Sequence, residues 1–153
     1  MSGMDGFSHI PWQKVNEYLM EIGASQTRDQ FCRGVVSGLR RLIPYDVACV
    51  MADTDGPILQ QHGASENTFE AYQSYYRFRL PWLIDSSTAP PPYESGASRT
   101  HWRTVAFRDS EFVTDFIMAI GNATSLTCSL SEGKVGIAVH RSCLALDFSD
   151  LEC

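Results

Sequence analysis

Apolar residues recur at spacings of three and four from Ile10 to Ile22, and this predicts a helix with Trp12, Val15, Leu19 and Ile22 along one stripe. Pro11 suits its first turn, where a missing N–H costs nothing. Thr27 and Gln30 stand at capping-box spacing ahead of a second helix with Phe31, Val35, Leu39 and Leu42 on one face, and Pro44 ends it. The period then changes. From Tyr45 to Ala52 apolar residues fall at both parities, as in a central strand buried on both faces. Asp53-Thr-Asp-Gly56 supplies turn chemistry, and Ile58 to His62 returns as an antiparallel neighbour. Ser65 caps a third helix carrying Phe69, Tyr72 and Tyr76.

Pro81 to Gly96 holds four of the seven prolines among Ser and Thr, which predicts an extended surface loop suited to a lid. A short strand is expected at His101 to Val105. Asp109 or Ser110 then caps a helix whose Phe112, Phe116 and Ile120 share a face, and Gly121 ends it. Thr124 to Leu130 and Lys134 to Arg141 flank the turn signal Ser131-Glu-Gly133 and should pair as a hairpin. Alternation along the first of these strands sends Leu126, Cys128 and Leu130 one way and Ser125, Thr127 and Ser129 the other, giving one apolar and one hydroxylated face. The element order predicts an α+β fold, an antiparallel sheet of about five strands with helices packed on its faces. No internal repeat is present.

At 153 residues, 44% apolar and 20% charged, the chain suits a single domain over 1–153. Eighteen acidic residues against twelve basic ones give a net charge of -6, and Arg40-Arg41 and the span Arg99 to Arg108 are broken by apolar residues. No patch could neutralise a row of phosphates, so direct DNA binding is not expected. The five cysteines have no C-x-x-C spacing, and Cys49 and Cys128 sit in apolar strand-like runs, which favours a reducing, cytoplasmic setting. Met1 to Gly6 has no export-signal pattern and no apolar run spans a bilayer, so no membrane partner is expected.

Aromatic residues concentrate between Phe69 and Phe116. Phe69, Tyr72, Tyr76, Trp82, Trp102 and Phe116 could line an apolar pocket, with Met51 from the central strand. The same rings could equally fill a solid core. Thr127 and Ser129 add a hydroxyl face that must be wet, paired with backbone or aimed at a ligand. These nine residues are the candidate ligand-binding set.

Three stretches resemble the GAF-like sensor domains of LuxR-family bacterial transcriptional regulators: Leu39-Arg-Arg-Leu-Ile-Pro-Tyr-Asp46, Phe107-Arg-Asp-Ser-Glu-Phe-Val-Thr-Asp-Phe116, and Val139-His-Arg-Ser142 with Asp147-Phe-Ser-Asp-Leu-Glu152. The resemblance implies a GAF/PAS-like sheet and a small-molecule sensor that controls DNA binding by an attached helix-turn-helix domain. In that family a Ser like Ser149 caps a final helix leading to the DNA-binding domain. The chain ends at Cys153, so that domain is expected to be absent from it, and DNA is expected as a partner only through it. Acyl-homoserine-lactone sensors of the family carry an Asp-Pro whose carboxylate accepts the ligand amide; this chain has Leu80-Pro81 there. An unsatisfied buried amide costs about 1 to 3 kcal/mol, so the effector is expected to be a different small organic molecule.

Some GAF folds are reductases with a cysteine nucleophile, but apolar strands would raise the thiols of Cys49 and Cys128 and weaken them as nucleophiles. The chain is read as no enzyme. A chromophore-type Cys-His dipeptide, a Gly-rich phosphate cradle and metal-ligand spacing are all missing, so no cofactor is expected. The sequence is read as a ligand-sensing regulatory domain, expected as a homodimer through the Trp12 helix. Its rival is a protein-interaction or dimerisation module with a solid core and no ligand.

Overall fold

The computed structural model describes residues 10–53, 56–85, 87, 96–130 and 134–142. Helix α1 runs Trp12–Gly23 and α2 runs Arg28–Leu39, with the Thr27 hydroxyl accepting from the Gln30 N–H at 3.1 Å. The cap works as the sequence implies. The buried stripe of α1 does not: Trp12 and Leu19 are more than half exposed, and Tyr18 is the buried residue. The reason lies on the partner helix. Gly34 and Gly38 leave a shallow groove on α2, where added Cβ atoms would lie 3.4 Å from Ile22 and 2.9 Å from the Tyr18 ring. Tyr18 settles there and donates its hydroxyl to the Val35 carbonyl at 2.9 Å. On α2 itself Cys32, Val35 and Val36 are buried while Phe31 faces out.

Strands β1 (Val47–Ala52) and β2 (Ile58–His62) pair antiparallel. They are followed by α3 (Glu66–Ser74), capped by Ser65 through the Thr68 N–H. Gly63 is required at the β2–α3 turn: its φ is +98° and a Cβ would meet the Asp46 carbonyl oxygen at 2.0 Å. A 3₁₀ turn at Tyr76–Phe78 leads to the short helix α4, Pro81–Ile84. The proline-rich stretch therefore opens as a helical turn, with Pro81 at its first position, and not as extended loop. Residue 86 and residues 88–95 of that stretch lie outside the described residues, as do the 131–133 turn and the Ser149 cap.

Strand β3 is Gly96–His101, ending where a strand was expected to begin; Trp102 and the residues after it turn away. Phe112–Ile117 forms a π-helical segment in place of the expected α-helix, with the Met118 N–H bonding the Val113 carbonyl five residues back. Its wider winding buries Phe112, Val113, Phe116 and Ile117 together. Strands β4 (Asn122–Leu130) and β5 (Val135–Ser142) complete a five-stranded antiparallel sheet in the order β2-β1-β5-β4-β3. The α+β class and its antiparallel sheet are as the sequence implies.

The sheet separates two packed layers. On one face Ala48, Val50, Leu126 and Val139 pack with Cys32, Val35 and Val36 of α2. On the other, Leu80, Trp102, Phe112, Val113, Phe116 and Ile117 form an aromatic layer, with Cys49, Met51 and Ala138 as its neighbours on the sheet. Among the described residues no helix is long and apolar enough to cross a membrane.

Candidate functional site

Between the sheet and the aromatic layer lies a cavity of about 90 Å³. Alternation fixes which strand residues reach it. Val47, Cys49 and Met51 come from β1, Ala138 and His140 from β5, and Ser125 and Thr127 from β4. Thr100 joins them from β3 and Ile58 and Gln61 from β2. The opposite wall is Thr68, Phe69 and Tyr72 of α3, then Leu80 and Trp82, Trp102, and the buried side of the π-helical segment. The rings form a continuous chain, with Trp82–Trp102 at 6.1 Å, Trp102–Phe112 at 5.1 Å, Phe112–Phe116 at 5.5 Å and Tyr72–Phe116 at 5.9 Å between centroids.

Of the nine candidate residues, Met51, Phe69, Tyr72, Trp82, Trp102, Phe116 and Thr127 line this cavity. Tyr76 and Ser129 do not. Tyr76 stacks on the Phe116 ring with centroids 4.8 Å apart, because the chain leaves α-helical geometry at Tyr75 and turns the next ring outside the wall. Ser129 lies farther along β4, in register with Gly96 and Gly136.

Sequence patterning missed Asn122, which is 3% exposed and lines the cavity. Counted by alternation from Leu126, it would belong to the opposite face. A register shift between Asn122 and Thr124 adds one residue and brings it round to the side of Ser125 and Thr127. The Gly121-Asn pair reads as a helix stop in sequence, and nothing there announces a bulge.

The polar groups of the site divide into two kinds. Ser125 is fully engaged: Trp102 Nε1 donates to its Oγ at 2.7 Å, and Oγ lies 2.5 Å from His140 Nδ1. The buried Ser125 hydroxyl proton has no acceptor in this contact set besides Nδ1, so Ser125 donates to His140 and the imidazole carries its proton on Nε2. Burial pushes His140 down to about 4, which matches an Nδ1 that accepts. The indole N–H occupies one lone pair of the serine oxygen.

Thr100, Asn122 and Thr127 are the second kind. All are buried and line the cavity, and none makes a side-chain hydrogen bond to another described residue. Among the described residues no Asp, Glu, Lys or Arg joins the lining. Burial also raises the thiols of Cys32 and Cys128. Among the described residues no three His, Cys, Asp or Glu side chains gather as a metal site.

No protein-family model matches the sequence, and no curated protein matches it. Solved structures do resemble the fold. The GAF domain of a phosphoenolpyruvate-protein phosphotransferase from Coxiella burnetii superposes with a TM-score of 0.57 at 13% identity, covering 92% of this chain and 82% of that one. A domain assigned to a two-component sensor histidine kinase protein of Sinorhizobium meliloti gives 0.57 at 16% identity, covering 84% and 81%. A far-red-absorbing protein in its dark state with bound biliverdin IXa gives 0.55 at 10% identity, covering 92% and 89%. The fold is GAF-like.

Proposed function

We propose that this chain is a small-molecule-sensing regulatory domain. The observation that carries the reading is the set Thr100, Asn122 and Thr127, three polar side chains that line one cavity and make no side-chain hydrogen bond among the described residues. Their polar atoms open onto the cavity, where contents can hydrogen-bond them, and a guest that matched them would keep the bonds it leaves behind in water. Some GAF-like neighbours hold a small molecule, as the biliverdin-bound structure does, which supports the same reading. The domain binds and does not catalyse: the Ser125–His140 pair is closed on itself, and Cys128 is held as a thiol.

The regulatory setting we propose is that of a LuxR-type transcriptional regulator, in which occupancy of the cavity biases DNA binding by an attached helix-turn-helix domain. Leu80 stands at the cavity where acyl-homoserine-lactone sensors of that family place a carboxylate, so the effector is a different molecule. Ligand shifts such a switch only by preferring one state. A homodimer through α1 offers the second state, since Trp12, Leu19 and Met20 are 55%, 53% and 77% exposed on that helix. Leu19→Glu converts the dimer to monomer in multi-angle light scattering; unchanged mass would move the interface elsewhere.

The function is tested by Asn122→Leu and Thr127→Val, which keep shape and delete polarity. In ligand-free protein both variants hold or gain stability in urea melts, because neither group hydrogen-bonds a side chain among the described residues. Both lose a co-purifying small molecule in native mass spectrometry, by about tenfold in occupancy-derived affinity for each hydrogen bond lost. Loss of folding in the variants, with no retained molecule in the parent, would return these side chains to structural roles and favour the solid-core interaction module.

A further inference from the structure

The chemistry of the lining narrows what the cavity can hold, and this step rests on the sensing role proposed above. The first constraint is charge. Among the described residues no ionised side chain lines the cavity. The imidazole of His140 there is neutral, with Nδ1 occupied by Ser125. An ionised ligand would lose its hydration there and find no countercharge, which opposes anions and cations alike.

The second constraint is size. About 90 Å³ falls below the ~300 to 1,000 Å³ of drug-sized sites and below the ~150 Å³ of an engineered cavity that accepts a benzene ring, so a single ring is the upper limit for a guest. A tetrapyrrole or a long acyl chain does not fit. The walls are themselves flat rings, Trp82, Trp102, Phe112 and Phe116, suited to a planar guest.

The third constraint is hydrogen bonding. Asn122 offers a carbonyl acceptor and two N–H donors, the two threonines offer hydroxyls, and His140 has only its Nε2–H left to give. The set presents donors and acceptors side by side. A guest that answers it carries a carbonyl beside an N–H. We infer that the cavity takes an uncharged, planar, single-ring compound bearing a carboxamide-type group, and rejects carboxylates and amidinium ions of the same shape.

Benzamide, benzoate and benzamidine test this as a neutral, anionic and cationic series on one ring. Each is titrated at pH 7.5 into the full chain and into Asn122→Leu by calorimetry, with thermal shift as a second readout. Benzamide is expected to bind and to raise Tm, benzoate and benzamidine to bind at least about 100-fold more weakly, and Asn122→Leu to lose about tenfold for benzamide alone. Benzoate or benzamidine binding as well as benzamide would overturn the inference, as would benzamide binding unaffected by Asn122→Leu. If none of the three binds, the proposed ligand class falls, and native mass spectrometry of the purified chain then shows which reading falls with it. A retained charged or long-chain molecule leaves the sensing role standing; an empty chain whose Asn122→Leu variant is destabilised ends both.

Discussion

Trp102→Ala lowers the stability of the folded domain by about 3 to 5 kcal/mol, the range for truncating a buried large aromatic. Trp102 is 5% exposed and packs against Trp82, Phe107 and Phe112 at once. It also donates to Ser125, which in turn holds the His140 tautomer. Its loss therefore opens the cavity wall and leaves the serine oxygen one donor short. Trp102→Phe separates the two contributions: it keeps most of the ring contact, removes the N–H, and costs about 1 to 2 kcal/mol. Equilibrium urea unfolding measures both, with m-values confirming a two-state comparison. Because the space emptied in Trp102→Ala is indole-shaped and continuous with the cavity, added indole restores part of the loss by mass action on the folded state. A variant that is destabilised by less than 1 kcal/mol, or is indifferent to indole, would show that Trp102 does not wall the cavity as its contacts imply.

The same tryptophan marks how far a reader of the sequence could get. Aromatic density between Phe69 and Phe116 pointed to the layer over the sheet, and alternation along β4 pointed to its hydroxyl face; both are local patterns that survive folding. Ser65 and Thr27 were legible as caps because a cap depends on residues three apart. The misplaced features are those that depend on a partner or on backbone irregularity. Tyr18 displaces Leu19 from the core because glycines on another helix receive it. Trp102 was expected within a strand, yet β3 lies before it, since Ser98, Arg99, Thr100 and His101 carry too few apolar residues to show their period. Asn122 enters the site only through a bulge, and Tyr76 leaves it only because α3 ends at Ser74, two residues before it. No spacing in the chain encodes the π-helical winding that gathers Phe112, Val113, Phe116 and Ile117.

His140 gives the site a pH signature whose sign follows from its burial. In the unfolded chain its imidazole takes a proton near the ordinary 6.5, whereas in the folded domain burial pushes it down to about 4. Between these values the unfolded state binds a proton that the folded state refuses, so stability must fall as the pH is lowered. The stabilisation is complete above pH 6.5 and is lost progressively from about pH 6.5 down to about pH 4, amounting to about 3 kcal/mol at its ceiling and less to the extent that the ring stays partly exposed. Geometry supports the direction. A charged His140 would need to donate from Nδ1 to a serine whose own proton already points there, and among the described residues the cavity lining supplies no carboxylate to stabilise the cation. His140→Asn retains an acceptor for Ser125 without a titrating group, so its urea midpoint should change less than that of the parent between pH 7 and pH 5. The other histidines and the carboxylates are common to both proteins and cancel in the comparison. Parallel curves across that interval would mean that folded His140 takes up its proton freely, and would reverse the Ser125 hydrogen bond on which its tautomer rests.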